Sequence, residues 1–221
     1  MGEAMVKRFE HRTVLFVRHG QAQSDPERYE ADERRPLTPA GRQAVAEISA
    51  QVALFAPRRL FCSPALRTYQ SAYLLAEKTG LVPEQLAGLN ERLFRSLLGL
   101  TREQIAQRCG PATMEALEQG SETIELPGEE TLAQASQRVH STLLHVLRGT
   151  QGRLALVSHG GPHGWLLATE LGMSETRSRL FRLDEACFSL LEFVRVGSGF
   201  QLQQILALNT QVLPPGLHPR G

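Results

Sequence analysis

The sequence predicts an α/β fold: a three-layer α/β/α sandwich with a largely parallel central sheet and a small partial cap. Strand-like and helix-like patterns alternate through most of the 221 residues. Two apolar, strand-like runs, Thr13-Val14-Leu15-Phe16-Val17 and Leu154-Ala155-Leu156-Val157, end in Arg18-His19-Gly20 and Ser158-His159-Gly160-Gly161. Reactive groups followed by glycine at a strand end mark the carboxyl edge where α/β sheets bind ligands. At 42% hydrophobic residues the chain can bury one full core, so a single domain over 1–221 is expected, with its core at about 13–208.

The elements follow in order. After the strand ending at Val17, residues 20–37 are polar and read as a loop over the sheet edge. Thr38-Pro39 supplies a helix cap and a proline at the first helical position, for a helix reaching about Phe55 with Ala44, Val45, Ile48 and Val52 at helical spacing. Leu60-Phe61-Cys62 reads as a short buried strand. Ser63-Pro64 then reads as a second cap-plus-proline start, for a helix to about Lys78 that stops at Gly80. Residues 83–130 are less regular, with helical pieces near 101–108 and 112–119, and read as a cap excursion. Leu132, Ala135, Val139, Leu143 and Val146 define an amphipathic helix stopped by Gly149. A strand at 153–158 and a glycine-led helix to about Leu171 come next. The apolar runs 187–196 and 200–207, joined by Gly197-Ser198-Gly199, predict a closing hairpin. Its edge either pairs with a second copy, giving a homodimer, or is simply protected.

Composition narrows the classes. A net charge of +1 gives no reason to expect nucleic acid or an anionic membrane as partner, and no apolar run approaches a membrane span. The segment Met1 to Arg12 lacks an apolar signal core. Cys62, Cys109 and Cys187 are odd in number, far apart and without CxxC spacing, as ordinary thiols of a reducing compartment are. A cytoplasmic location is the expectation.

The strand ends assemble a coherent chemistry. Arg18 flanks His19, Arg67 falls just after the Ser63-Pro64 start, and His159 sits at a third strand end with Gly160 and Gly161 behind it. Two arginines, two histidines and a helix N-terminus make an oxyanion site, because Arg matches phosphate or carboxylate oxygens bidentately. No P-loop, zincin motif or GxSxG accompanies them. Covalent catalysis at phosphorus, with His19 as nucleophile and the arginines neutralising the oxygens, is the economical reading. A nucleophilic histidine must be neutral, and neighbouring arginines favour that form. The leaving alkoxide needs a proton, and spacing alone leaves Asp25, Glu91, Glu129 and Glu130 open as donors. His159 and His163 stand four apart, a spacing that can ligate zinc, but Gly160, Gly161 and Pro162 between them argue against a regular helical face. Trp165 reads as core packing.

Val17-Arg18-His19-Gly20, Leu37-Thr38-Pro39-Ala40-Gly41-Arg42-Gln43-Ala44, Cys62-Ser63-Pro64-Ala65-Leu66-Arg67-Thr68-Tyr69-Gln70-Ser71-Ala72 and Val157-Ser158-His159-Gly160-Gly161 resemble the ordered motifs of the histidine phosphatase superfamily, the phosphoglycerate-mutase-like clan with its RHG motif. Asn90-Glu91-Arg92 resembles its acid-bearing segment, and Pro127-Gly128-Glu129-Glu130-Thr131 the stretch before its long helix. The resemblance implies His19 as phospho-accepting nucleophile and Glu91 as proton donor and later base. It further implies Arg18, Arg67 and His159 as the phosphate pocket, Gly20, Gln21, Arg92 and Gly160 as substrate contacts, and no metal or cofactor.

The departures bear on substrate. Gln21 stands where the family often has Glu, Asp25 where it often has a phosphate-contacting Asn, Arg95 where many members have Gly, Leu97 in place of an aromatic, and His163-Gly164 where an arginine is common. The expected activity is a phosphoric monoester hydrolase acting on a small phosphorylated metabolite. One alternative is a phosphoglycerate mutase, which the Asn90-Glu91-Arg92 string favours. The short 99–127 segment disfavours it, lacking the tryptophan and paired arginines that mutases carry there. The other alternative is a catalytically weak phospholigand-binding module.

Overall fold

The computed structural model describes residues 10–24, 28–29 and 32–217. Its sheet has six strands in the order β3-β2-β4-β1-β5-β6. They are β1 (His11–Arg18), β2 (Arg59–Cys62), β3 (Pro83–Gln85), β4 (Gly152–Ser158), β5 (Phe188–Val196) and β6 (Gly199–Thr210). β1 to β4 run parallel, while β5 lies antiparallel to β1 and turns back into β6. The expected largely parallel sheet with a closing hairpin is therefore present. The excursion starts later than the sequence suggested, because residues 83–85 form the edge strand β3.

Six α-helices are present among the described residues: α1 (Pro39–Phe55), α2 (Leu66–Thr79), α3 (Arg102–Cys109), α4 (Pro111–Glu118), α5 (Leu132–Gly149) and α6 (Gly160–Glu170). None is long and apolar enough to cross a membrane. Strand alternation creates the two outer layers. Val14 and Phe16 of β1 with Leu154 and Leu156 of β4 face α5 and α6, meeting Val139, Leu143, Trp165 and Leu166. Leu15, Val17, Ala155 and Val157 point the other way onto Val45, Ile48, Val52 and Phe55 of α1 and Ala72 and Leu75 of α2. Each fully buried valine, leucine, isoleucine or phenylalanine among them contributes about 1.5–3 kcal/mol. A separate small core of Phe94, Leu97, Ile105 and Ile124 holds the cap together.

Three of the six helix starts, those of α1, α3 and α5, follow side-chain caps, while α2, α4 and α6 begin without one. Thr38 accepts from Gly41 N–H at 2.9 Å, with Pro39 at the first position of α1. Thr101 and Thr131 each form a reciprocal capping box with the glutamine three residues on. Ser63 does not cap α2: that helix begins at Leu66 with Ala65 at its uncapped N-terminus, and the Ser63 hydroxyl is used in the site described below. Likewise α6 runs regularly through Gly160, Gly161 and Pro162, where sequence argued against a helical face; proline is tolerated there because the first turn has no intrahelical acceptor to lose.

Register places the strand ends level. Arg18 lies opposite Ser158 and Cys62 opposite Val157. His19, Ser63 and His159 therefore leave the sheet side by side, with His19 N–H donating to Ser158 O and Ser63 N–H to Val157 O, both at 3.0 Å. The turn after β1 is pressed against the start of α1. A Cβ on Gly41 would stand 2.1 Å from Gln21 O, and one on Gly20 would stand 2.4 Å from Gly41 O. Gly41→Ala should therefore destabilise the protein by about 1–3 kcal/mol, as overpacking at a rigid backbone does. Urea unfolding of the two proteins measures it, and equal midpoints would show that this turn yields freely.

Candidate active site

Arg67 organises the site. It is the second residue of α2, buried, and its guanidinium donates to two imidazoles: Nε to His19 Nε2 at 2.8 Å and Nη2 to His159 Nδ1 at 2.6 Å. A guanidinium only donates, so both of these ring nitrogens present lone pairs. The proton of His19 is then on Nδ1, which donates to Gly20 O at 2.6 Å. The proton of His159 is on Nε2, which donates to Ser63 Oγ at 2.9 Å, and Ser63 Oγ donates onward to Asn90 Oδ1. The rings meet edge to face with centroids 5.2 Å apart. Burial, then the Arg67 charge, hold His159 well below the ordinary imidazole range, so it stays neutral.

Arg18 approaches from the other side. Its Nη1 donates to Leu183 O at 2.6 Å, Nη2 lies 3.7 Å from Glu185, and its buried Nε has no hydrogen-bond partner among the described residues. Glu91 sits on the first turn of α6, accepting from Gly161 N–H at 3.4 Å and from Arg92 N–H at 3.2 Å. A Cβ at position 161 would stand 2.3 Å from Glu91 Oε1, so the carboxyl group reaches this place only over a glycine.

Arg18, His19, Arg67, Glu91 and Gly160 all line one cavity of about 650 Å³. The other residues singled out in the sequence are placed differently. His159 lies behind Arg67 rather than in the cavity wall, and Gly20 directs its N–H to Ser71 Oγ at 3.2 Å. Gln21 is exposed and accepts from Thr38 Oγ1 at 2.9 Å, so its side chain is spent at the start of α1. Arg92 borders the cavity, but its guanidinium donates to Glu130 O, Glu122 O, Ile124 O and Glu125 Oε2, and stacks on Phe94. The expected substrate contact is thus a strut that ties the cap to the core. Arg95 is exposed beside Glu33 and Leu97 is buried in the cap core, so neither departure borders the cavity.

Of the four carboxylates that spacing left open, Glu91 is in the cavity wall. Glu129 accepts from Arg95 N–H and Ser96 N–H, bonding that lowers its pKa, and Glu130 is paired with Arg138. Asp25 lies outside the described residues. Sequence reading missed the Ser63–Asn90 link, taking Ser63 for a cap. It also missed Arg28 and Arg179 in the cavity wall, although the density of arginine at 177–182 was a signal.

The profile of the histidine phosphatase superfamily (branch 1) matches residues 14–205. The chain belongs to this superfamily. Among similar proteins are the probable phosphoglycerate mutases GpmB of Escherichia fergusonii (29% identical over 187 residues) and Salmonella paratyphi C (29% over 189), each match covering 81% of this chain and 84% of the relative. Among solved structures, the Shigella flexneri alpha-ribazole phosphatase aligns with a TM-score of 0.72 at 22% identity, covering 91% of this chain and 98% of that one. Mycobacterial glucosyl-3-phosphoglycerate phosphatase aligns with a TM-score of 0.73 at 22% identity, covering 91% and 100%. These solved structures share the fold.

Two predictions follow from the hydrogen-bond accounting. Ser63→Ala leaves the His159 Nε2–H without its acceptor, which should cost about 1–3 kcal/mol of stability and disturb the tautomer. Nitrogen NMR of the histidines reads the second effect, and an unaltered His159 tautomer would show that Arg67 alone fixes the ring. His163 is buried, stacked on Phe16 at 4.3 Å, and neither ring nitrogen has a hydrogen-bond partner among the described residues; burial, then Arg18, push its pKa down to about 3. Unfolded, it binds a proton below its ordinary 6.5, so between those values the unfolded chain holds the extra proton and stability falls as pH drops. This group contributes up to about 1.4 kcal/mol per pH unit to that fall. His163→Phe should flatten the loss between pH 6 and pH 4 in urea titrations, and an unchanged slope would assign it to other groups.

Proposed function

We propose that the protein is a phosphomonoesterase that hydrolyses a small phosphorylated metabolite through a phosphohistidine at His19, without a metal. The observation that carries this reading is the His19 tautomer. With Nδ1–H committed to Gly20 O, the Nε2 lone pair faces the cavity's guanidinium groups, as an attacking nitrogen must. As Arg67 Nε exchanges His19 Nε2 for a phosphoryl oxygen, the freed lone pair attacks phosphorus and the bond from phosphorus to the ester oxygen breaks. Glu91, in the same cavity, gives its proton to the leaving oxygen. Water then attacks the phosphohistidine, Glu91 takes the proton, and phosphate leaves with neutral His19 restored. Arg18 and Arg67 hold the phosphoryl oxygens, where developing charge meets fixed donors. His159 presents its acceptor to Arg67, so it acts as a positioning residue for that guanidinium.

The cytoplasm suits this reading. Cys62, Cys109 and Cys187 are all free thiols, and burial pushes Cys62 up to about 12, which makes it inert. The second reading is a phosphoglycerate mutase, favoured by the names of the GpmB relatives.

A panel of phosphomonoesters incubated with a chelator, with free phosphate and acid-labile phosphoprotein both measured, tests the proposal. His19→Ala should abolish phosphate release and the phosphoprotein. Glu91→Gln should lower kcat by about 10²–10⁴. Phosphate release that survives His19→Ala would sink the covalent route, and activity lost to the chelator would restore a metal. Conversion of 3- to 2-phosphoglycerate outrunning release would favour the mutase.

A further inference from the structure

The cavity is larger and more cationic than phosphoryl transfer requires. Beyond Arg18 and Arg67, its wall includes Arg28 and Arg179, which come from two separate segments. Arg28 pairs with Thr101 in an isolated β-bridge, and its Nη1 donates to Gly99 O at 2.9 Å. Arg179 belongs to the 3₁₀ turn Glu175–Leu180 after α6, and both its Nη atoms donate to Gln119 O, at 3.2 and 3.3 Å. It lies over Gly120, where a Cβ would stand 2.9 Å from Nη2 and where φ is +63°. Both guanidinium groups are thus held by backbone carbonyls, which orient them, and among the described residues neither pairs with a carboxylate. The acids in the described wall are used elsewhere. Glu91 lies on α6, Glu185 is 3.7 Å from Arg18, and Glu122 accepts from Ser178 Oγ.

Two oriented, solvent-facing guanidinium groups in a cavity that already has its phosphoryl-binding pair offer donors matched to further anionic oxygens. We infer that the substrate carries a second anionic group on its leaving-group alcohol, a carboxylate or a second phosphate, recognised by Arg28 and Arg179. This rests on the phosphatase reading for which end of the substrate reacts. It adds the chemical class of the other end.

Three esters with the same three-carbon frame test it: glycerol 3-phosphate, 3-phosphoglycerate and 1,3-propanediol bisphosphate. Their kcat/KM values for phosphate release are compared in the unaltered protein, Arg28→Gln and Arg179→Gln. Binding of the three to His19→Ala protein is measured by calorimetry. At least one doubly anionic ester should exceed glycerol 3-phosphate by about 10- to 100-fold, the factor that a charge-assisted hydrogen bond supplies. That ratio should fall at least several-fold in each glutamine variant, and the favoured ester tells carboxylate from phosphate. Equal values for all three esters in the unaltered protein overturn the inference, whatever the variants do, and so does a preference that both variants retain in full. If no ester is hydrolysed but the binding order to His19→Ala protein holds, the phosphatase reading fails and the second-anion site stands.

Discussion

One guanidinium between two imidazoles is the constraint on which the rest of this site depends. Arg67 is buried, and its charge is met by the lone pairs of His19 and His159. A buried cation is costly unless its donors are satisfied, and here satisfying them requires both histidines to be neutral and of fixed tautomer. The same bonds that make the arginine tolerable therefore set the proton pattern of His19. That pattern is relayed outward, from His19 to its own turn through Gly20 O and from His159 to Ser63 and Asn90. The site is a single proton-ordered network drawn from three strand ends, one helix start and the loop at residue 90.

Such a network needs its members brought closer than side chains ordinarily allow, and glycine provides the room. Gly20 and Gly41 let the turn after His19 touch the first turn of α1, and Gly161 lets Glu91 lie on α6. The parallel register does the coarser work by making β1, β2 and β4 end at one level. Backbone placement of this kind fixes where the side chains of the site can meet.

Much of this was legible in the sequence, for identifiable reasons. Strand ends read from apolar runs put His19 and His159 at a common edge, because strands of a parallel sheet end in register. Arg67 followed, since it lies just after a strand and a helix start. Ser63 was misread, because a serine before proline satisfies the local rule for a cap, and only the tertiary neighbour His159 makes a better use of its hydroxyl. Arg92 was misread for a related reason. An arginine beside an acid at a site looks like a substrate ligand, and nothing local reveals four acceptors between residues 122 and 130. Arg179 was invisible as a wall residue because its neighbour Gly120 is far away in the chain.

The Arg92 strut has an architectural consequence. By binding Ile124 O across 32 residues of chain, it closes the excursion at its base. What lies beyond that staple is a tethered loop, and enlarging a closed loop is entropically cheap, about 0.6 kcal/mol for each doubling of its length. The outer portion, carrying α3 and α4, can therefore be lengthened, trimmed or exchanged between relatives while the reaction centre beneath it keeps its shape. Arg92 is thus the boundary between a fixed base and a segment free to vary in length.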